Sequence, residues 1–383
     1  MRQTTNQLLF LSLILGSAAC ADAAATRIAF LDGFATARGN AFTATADNPS
    51  AVFYNAAGLT QLEGTEVRSN AYIFSAGYEY EGPFGDAKTD DDYQPVPSFF
   101  AAHKFEDQPF AIGFGMYAPF GLGMDWGKSA PFAPVAYEAD LAYIKYHTVL
   151  AWQVNDSLSV GFGPSYDDAE IEIKSTTPGG SFDGDGSTLG YSFSVMYQPN
   201  EHHSFGLNYQ AASKVKFKGT ASLFGDADAY LKFPDSIVLG YAWTPNEKWN
   251  LEFNLDWTNW ERVDDLSLRS GLANVDVALN WDSAFIWELG ATRYFEDGWH
   301  VSAGYTFVEN AVPDTDFTPI VPDADRHYFQ FGLGRDYENI SWVISYQFTH
   351  APDRNVSGNT NVLPNGEYDL ESQGFGVSLA YRF

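Results

Sequence analysis

The sequence predicts an all-β fold, a transmembrane antiparallel β-barrel of about 14 strands with an N-terminal plug segment in its lumen. Three observations lead to this prediction. Apolar residues alternate with small or polar ones at a period of two, no run of about 18 apolar residues follows Ala25, and tight turns alternate with long loops. A barrel accounts for all three, because successive strand side chains face opposite sides and closure leaves no free sheet edge.

The composition suits a membrane sheet and argues against several other classes. Hydrophobic residues make up 45% of the 383 residues and the mean hydropathy is -0.22, which is too polar for a helical membrane protein. Aromatic residues reach 16%, as expected for aromatic girdles, whereas a disordered acidic chain is poor in them. The net charge of -28, from 49 acidic and 21 basic residues, repels phosphate backbones, so we expect no nucleic-acid partner.

The first 25 residues have the pattern of a signal peptide. Arg2 precedes an apolar run at 8–15, and small residues follow as far as Ala25. Three cleavage sites fit the small-residue rule, after Ala21, Ala23 or Ala25. Each would remove Cys20, the one cysteine, so no intramolecular disulfide or CxxC motif is expected. The alternative is a lipoprotein with lipid on Cys20, but Ser17 stands where such a signal needs a large aliphatic residue.

The final strand shows the alternation most clearly. Its apolar face consists of Phe375, Val377, Leu379, Tyr381 and Phe383. A soluble sandwich also alternates, but three features favour the membrane. Aromatic residues such as Trp249 and Trp257 stand toward strand ends, the opposite faces carry Gly, Ser, Asn and Gln, and the segments have about 10 to 14 residues.

We predict strands near 65–80, 95–105, 108–118, 141–154, 157–174, 188–199, 203–217, 230–245, 248–262, 280–295, 299–311, 325–336, 339–350 and 370–383. Long loops are expected at 119–140, 175–187 and 351–369. Ahead of the first strand, residues 35–42 suggest a weak helix or an irregular segment. This segment is either a periplasmic extension or a plug, and its small residues favour a plug. The predicted division is therefore a signal peptide (1–25), a plug (26–62) and a barrel (63–383).

Several motifs resemble, in order along the chain, those of one known family. Residues 46–59, ADNPSAVFYNAAGL, resemble the plug motif of the FadL family of outer-membrane transporters for long-chain fatty acids and other hydrophobic compounds. Residues 117–122 are similar to the family's Pro-Phe-Gly segment, and residues 312–326 to its late Val-Pro-Asp and Pro-Asp-x-Asp-Arg signature. The terminal Phe383, with Tyr381, resembles the signal read by the barrel assembly machinery.

The resemblance implies passive uptake of a hydrophobic molecule, with a long-chain fatty acid as the first expectation. The ligand would be captured in an extracellular groove, passed to an internal pocket and released sideways through the barrel wall. The resemblance also implies a monomer in the bacterial outer membrane, in contact with its lipid, with no cofactor and no energy-coupling partner. One departure stands in the plug motif, where Asn55, Ala56 and Ala57 replace the family's Asn-Pro-Ala, so the proline that fixes a turn is absent.

The 119–140 loop is the predicted capture site. Its apolar residues are Phe120, Leu122, Met124, Trp126 and Phe132. An apolar groove binds a lipid tail because each buried CH₂ contributes about 0.8 kcal/mol. Alternatively, these residues cap the barrel mouth. The candidate head-group contacts are Arg38, Lys145 and Arg326, each of which could instead pair with acids in the lumen. Asn55 is expected to hold the plug turn.

No enzymatic or metal motif stands out. Val301 is predicted to face outward, with His300 and Ser302 inward, so the alternation alone explains them. His147 shares the inward parity of Lys145 but lacks a partner at metal-ligand spacing. Residues 183–186, Asp-Gly-Asp-Gly, are predicted to form a surface turn rather than a weak calcium site.

Four alternatives stay open at this point. The first is uptake of aromatic hydrocarbons by the same route, and the second is a diffusion pore for small polar solutes. The third is an adhesion barrel whose long acidic loops bind a partner. The last is an outer-membrane esterase, whose hydrolysis His300→Ala would abolish.

Overall fold

The structure is a computed structural model that describes residues 25–89 and 93–383, so most of the predicted signal peptide, with Cys20, lies outside the described residues. Twenty strands form one sheet. In chain order they are β1 (Gly64–Gly82), β2 (Gly85–Lys88), β3 (Tyr93–Lys104), β4 (Phe110–Asp125), β5 (Glu138–Asn155), β6 (Leu158–Lys174), β7 (Phe182–Asn200), β8 (His203–Gln210), β9 (Ser213–Ala221), β10 (Gly225–Phe233), β11 (Ser236–Asn246), β12 (Trp249–Thr258), β13 (Asp265–Ser270), β14 (Asn274–Ala278), β15 (Ala284–Tyr294), β16 (Trp299–Val308), β17 (Arg326–Asp336), β18 (Ile340–His350), β19 (Arg354–Val356) and β20 (Gly366–Arg382).

Fourteen of these strands close into an antiparallel barrel, which confirms the predicted fold class. Their order around the wall is β1, β3, β4, β5, β6, β7, β8, β11, β12, β15, β16, β17, β18 and β20, and β20 pairs with β1 to complete the ring. The remaining six strands extend the sheet beyond the wall, on the side of the long loops. Because membrane barrels have short periplasmic turns and longer extracellular loops, this side is the extracellular one.

The helices are all short. They are α1 (Gly33–Ala37), α2 (Ala51–Tyr54) and four 3₁₀-helices at Ala56–Gln61, Trp260–Arg262, Glu296–Gly298 and Asp314–Asp316. Within the part of the chain that the structure describes, no helix has the length and apolar character needed to cross a membrane.

The alternation predicts side-chain direction correctly. On β20, Phe375, Val377 and Leu379 are 40–57% exposed on the outer face, while Ser378 between them is buried. On β16, Val301 faces outward, and His300 and Ser302 are buried in the lumen, as predicted. The outer face is thus apolar where lipid surrounds it, and the small and polar residues face inward.

The extracellular boundaries of the strands differ from the prediction. The segments predicted at 203–217 and 230–245 each break into two strands, the second at Pro234 and Asp235 between β10 and β11. The predicted loop 119–140 is shorter, because β4 continues to Asp125 and β5 starts at Glu138. Strands here continue above the lipid, where both faces can be polar, so the period-two signal fades before the hydrogen-bonded ladder ends.

The predicted turn at 183–186 is wrong, because these residues belong to β7. Asp185 pairs with Glu170 of β6 on one side and with Lys218 of β9 on the other. Asp and Gly are poor strand formers, which is why the sequence suggested a turn. Pairing on both sides satisfies the backbone and outweighs that preference. Residues 351–369 likewise contain β19 and the start of β20 rather than a continuous loop.

Residues 25–62, the N-terminal segment, lie inside the barrel and are almost entirely buried. Lumen-facing glycines allow the close approach of its backbone to the wall. A Cβ added at Gly304 would lie 2.0 Å from the Gly39 nitrogen, and one at Gly206 would lie 2.2 Å from the Thr43 oxygen. The barrel wall is therefore shaped to accept this segment.

Candidate functional site

Buried polar groups fix the N-terminal segment to the wall. Asp32 caps α1 by accepting from the Phe34 and Ala35 nitrogens at 3.0 and 3.2 Å, and its carboxylate also pairs with Arg68 of β1. Burial raises the pKa of Tyr54 well above its ordinary value, so its hydroxyl stays neutral and donates to the Ala29 carbonyl at 2.8 Å. Each bond satisfies a group that would otherwise be costly to bury.

The plug-motif residues lie at the contact between this segment and the wall. The Asn55 amide donates to the Thr43 carbonyl at 2.7 Å and to the Val195 carbonyl of β7 at 3.1 Å, while its oxygen accepts from the Ala57 nitrogen at 3.2 Å. Asn55 thus links two turns of the segment to β7. Ala56 and Ala57 are buried against Gly161, where an added Cβ would lie 2.7 Å from the Ala57 nitrogen.

Arg38, a predicted head-group contact, is part of the N-terminal segment and is wholly buried. It pairs with Glu252 of β12 at 3.5 Å and bonds to Asn250, and its guanidinium lies 5.4 Å from the ring centre of Phe34. Glu252 in turn accepts from the Ala44 nitrogen at 2.7 Å. Arg38 lines neither of the two cavities described below.

The barrel wall opens between β3 and β4. Their ladder ends at the pair Phe99–Met116, although β3 continues with β1 as far as Tyr93 and β4 continues with β5 to Asp125. Among the described residues, no further pairing joins β3 directly to β4 beyond this point. A register shift in β4 between Tyr117 and Phe120 increases the divergence, because a bulge bends its strand.

Prolines account for this opening. Pro95 and Pro97 stay in register with β1. Because proline has no backbone N–H group, neither residue can donate a hydrogen bond to β4. Pro119 lies in the bulge of the facing strand. Sequence analysis did not identify this opening. The signal that could have found it is the presence of proline inside strand segments, where it cannot donate to a ladder.

The start of the described chain occupies the free edge of β4. Arg27 forms an antiparallel bridge with Phe120, the Ile28 nitrogen donates to the Pro119 carbonyl at 2.9 Å, and the Gly121 nitrogen donates to the Thr26 carbonyl at 2.9 Å. The Arg27 side chain crosses to β12, where it pairs with Asp256 at 2.6 Å and donates to Thr258 at 2.7 Å. Sequence analysis did not single out Arg27.

A cavity of about 910 Å³, the lateral cavity, lies at this opening. Its inner lining includes Val96, Tyr117 and Tyr143, whose side chains are buried toward the lumen. The outward-facing part of its lining includes Pro97, Ala118, Ile144 and Tyr146. The cavity is thus lined by side chains from both faces of the wall.

A second, smaller space, the inner pocket, adjoins the lateral cavity through Phe120 and Tyr143, which line both. Its volume is about 30 Å³. Arg27 and Lys145 supply two cations to its lining. Lys145, one of the predicted head-group contacts, is buried and pairs with Asp167 at 2.9 Å, and the Tyr143 hydroxyl donates to the same carboxylate at 2.6 Å.

The predicted capture residues lie inside the extracellular mouth rather than on an exposed groove. Leu122, Met124, Trp126 and Phe132 are buried, and Phe120 is half-buried. The Trp126 indole donates to the Pro319 carbonyl at 2.8 Å, and its ring contacts Phe132 at 5.2 Å between centres. With Tyr80 and Tyr368, these rings form an aromatic cap under the loops.

Arg326 begins β17 at its extracellular end and lines neither cavity. It is buried and pairs with Asp323, whose carboxylate also accepts from the Ala311 nitrogen at 2.8 Å. Together they fix residues 311–326 over the mouth. His147 is also structural, since its ring nitrogens bond to the hydroxyls of Tyr117 and Ser192 at 2.8 and 2.9 Å.

Comparison with known proteins identifies related chains over nearly the full length. The model of the family described as "Outer membrane protein transport protein (OMPP1/FadL/TodX)" matches residues 13–383. The "Long-chain fatty acid transport protein" of Escherichia coli (strain K12) is 22% identical over 409 residues, covering 89% of this chain and 90% of that protein. "Outer membrane protein P1" of Haemophilus influenzae is 22% identical over 459 residues and 99% of both chains.

Solved structures share the fold. A FadL homologue from Pseudomonas aeruginosa superposes with a TM-score of 0.83 at 18% identity, covering 94% of this chain and 99% of that chain. The toluene transporter TodX of Pseudomonas putida gives a TM-score of 0.73 at 15% identity, with coverage of 94% and 100%. The toluene transporter TbuX of Ralstonia pickettii gives 0.73 at 16% identity, with coverage of 92% and 98%.

Proposed function

Because this chain belongs to the OMPP1/FadL/TodX family of outer membrane transport proteins, we propose that it takes up long-chain fatty acids by passive diffusion and releases them through its wall opening. The family consists of transport channels for hydrophobic compounds, not of enzymes, and its members lie in the outer membrane. The observation that carries the proposal is the lateral cavity, because its lining at the wall opening includes side chains from both faces of the wall.

We propose that the N-terminal segment, buried inside the barrel, acts as a plug at 26–62 that blocks straight passage. A ligand entering from outside would reach the inner pocket and then find β3 and β4 separated beside it. An apolar molecule gains about 0.8 kcal/mol for each CH₂ it removes from water. Movement from the cavity into the surrounding lipid keeps the chain out of water, so no energy source is needed.

Capture would begin at the aromatic cap. Its rings are buried in the structure, so Trp126 and Phe132 must separate from their partners before a ligand enters. Hydrogen bonds hold the cap to the loops: the Trp126 indole donates to the Pro319 carbonyl, and the Tyr80 and Tyr368 hydroxyls donate to the Asn365 and Pro364 carbonyls. The contacts between the rings can be replaced by contacts with an acyl chain. We therefore propose that Trp126 and Phe132 replace their contact with each other by contacts with the ligand during capture.

The substrate class is proposed from the inner pocket. Arg27 and Lys145 are cations beside an apolar surface that includes Phe53 and Phe120, which matches a carboxylate joined to a hydrocarbon chain. The E. coli relative is named a long-chain fatty acid transport protein, and this name favours the same substrate class. Aromatic hydrocarbons are the second candidate, supported by the fold shared with two toluene transporters and by the aromatic lining. We also propose a monomer, surrounded by outer-membrane lipid, whose Phe383 is read by the assembly machinery.

The test is equilibrium binding of a fluorescent long-chain fatty acid to the purified chain in detergent, with Trp126→Glu and Phe132→Glu beside it. Phe84→Glu is the matched control, since Phe84 is an extracellular aromatic that is 57% exposed. We expect saturable binding that the two cap variants weaken and the control does not. Displacement by toluene but not by unlabelled fatty acid would favour the aromatic substrate. Absence of binding by both compounds would contradict uptake of hydrophobic ligands.

A further inference from the structure

Tryptophan and arginine alternate across neighbouring strands at the periplasmic end of the barrel. Trp249 of β12 lies directly opposite Arg293 of β15. Two strands further along, Arg335 of β17 lies between Trp299 of β16 and Trp342 of β18, in register with both. These five residues, the Trp–Arg rim, stand next to the short turns that mark the periplasmic side.

The rim faces the lipid. Leu289, Val301 and Leu333 share the parity of the rim residues on β15, β16 and β17, and they are 40–49% exposed on the outside of the wall. Arg293 and Arg335 are therefore outward side chains at the inner boundary of the apolar band. At this depth the head groups of the inner leaflet surround the barrel. Tryptophan and arginine side chains are favoured at such an interface, because each has an apolar part and a polar end.

Aromatic rings hold each guanidinium group in a fixed place. Arg293 lies 4.8 Å from the ring centre of Trp249 and 5.5 Å from that of Phe295. Arg335 lies 5.0 Å from Trp299 and 4.5 Å from Tyr337. Such contacts attract the cation and restrict its side-chain freedom, while its N–H groups stay available for an anion. Arg335 uses one of them, from Nε, for the Asp297 carbonyl at 3.1 Å.

The two arginines have no acidic partner in the described chain. Across residues 25–89 and 93–383, no carboxylate oxygen lies within 4.0 Å of either guanidinium group, although acidic residues outnumber basic ones by 49 to 21. The arginines of the lumen differ, since Arg27, Arg38 and Arg68 each form an ion pair. The rim thus offers two positioned cations with unused donors.

We propose that the Trp–Arg rim is a binding site for the phosphate groups of inner-leaflet phospholipids. The guanidinium groups of Arg293 and Arg335 donate to phosphate oxygens, and the outward apolar residues above them contact the acyl chains. Phosphate is the anion present at that depth, and the planar guanidinium matches its oxygens. The site is separate from the uptake route, because neither arginine lines the inner pocket or the lateral cavity.

The test is native mass spectrometry of the full chain purified from outer membranes and titrated with phosphatidylglycerol in detergent. Diacylglycerol with the same acyl chains is the phosphate-free comparison. We expect phosphatidylglycerol adducts on the parent chain and about a tenfold loss of affinity in Arg293→Gln/Arg335→Gln, because charge-assisted bonds to phosphate are lost. Diacylglycerol should bind weakly to both proteins.

Lys248→Gln is the matched control, since Lys248 is an exposed cation on a periplasmic turn beside Trp249. The two single arginine variants are measured as well, so that a folding defect of the double variant leaves the test intact. Heat-modifiable migration in gels establishes that each barrel is folded. Equal phosphatidylglycerol binding by the parent and the arginine variants, or an equal loss in Lys248→Gln, would overturn the proposal.

Discussion

Arg27 forms an antiparallel β-bridge with Phe120. The start of the described chain therefore pairs with β4 beyond the point at which β3 and β4 separate. The same arginine is anchored on the opposite side of the lumen by Asp256. The closure of the wall opening from inside therefore depends on a short backbone contact with β4, one buried ion pair with Asp256 and one hydrogen bond to Thr258. Removal of one partner of such a pair is destabilising, because the charge of the other partner stays buried and unpaired.

The first prediction concerns this closure. In a Cys20→Ser background, Thr26→Cys is buried and should react slowly with a membrane-impermeant maleimide. Arg27→Gln leaves Asp256 unpaired, which favours displacement of the segment, and we expect labelling about tenfold faster. Lys214→Gln, which removes an exposed lysine on β9, should label like the parent. An unchanged labelling rate in Arg27→Gln would show that the ion pair does not hold the segment.

The second prediction separates carboxylate ligands from neutral ones. Lys145→Met combined with Asp167→Asn removes the pair without leaving a buried charge. Because a hydrogen bond to a charged group contributes about 1.5–3 kcal/mol, affinity for a long-chain fatty acid should fall at least about tenfold. Affinity for its methyl ester should stay the same, as should both affinities in Lys214→Met. An equal loss for the ester would contradict a head-group role for Lys145.

The third prediction tests the fit between plug and wall. A valine at Gly304 would overlap the backbone of Gly39, so Gly304→Val should displace the N-terminal segment. We expect liposomes containing this variant to swell in small sugars, while those with the parent chain do not. Gly271→Val is the control, because an added Cβ there meets nothing within 4 Å. Impermeable liposomes with a correctly folded Gly304→Val barrel would argue against plugging by this segment.

The fourth prediction concerns the missing proline of the plug motif. Ala56 opens a 3₁₀-helix, where proline is favoured at the first position, and Asn55 before it has an extended backbone, outside the α region that a following proline disfavours. Ala56→Pro should therefore be tolerated and stabilise the chain by about 0.4–1 kcal/mol through the unfolded state. The measurement is the urea midpoint of unfolding in detergent. Ala57→Pro is the contrast, since the Ala57 nitrogen donates to Asn55 and Ser194 and would lose both bonds. A lower midpoint for Ala56→Pro would mean that the motif here has a different geometry.

The sequence allowed prediction of the barrel because its period is strict where lipid meets the wall. Val301 and Phe375 point outward, and Ser302 points inward, as the alternation requires. Above the lipid that constraint ends, which is why the upper parts of β4, β5 and β7 were predicted as loops. There the strands are held by pairing with neighbours distant in sequence, and no local pattern records such pairing.

The site was less predictable for the same reason. Arg27 and Thr258 are 231 positions apart and meet only when the barrel closes. Trp126 was expected to contact ligand because it is an apolar residue in a long loop. In the structure it is buried, and its indole donates to the Pro319 carbonyl of another loop, a contact that no local pattern indicates. The wall opening did have a local signal, in Pro95, Pro97 and Pro119, which mark strand edges without donors.

The most direct test of lateral release is the substitution Ala118→Trp. Ala118 lines the outward side of the lateral cavity, and an indole there would fill the passage without touching the inner pocket. Ala303→Trp places the same side chain on the lipid-facing wall of β16, away from the opening. The measurement is uptake of a radiolabelled long-chain fatty acid by cells that depend on this chain, beside equilibrium binding to each purified variant. We expect uptake at least about tenfold slower in Ala118→Trp, with binding retained and Ala303→Trp like the parent. Parent-like uptake in Ala118→Trp would mean that the ligand leaves by another route.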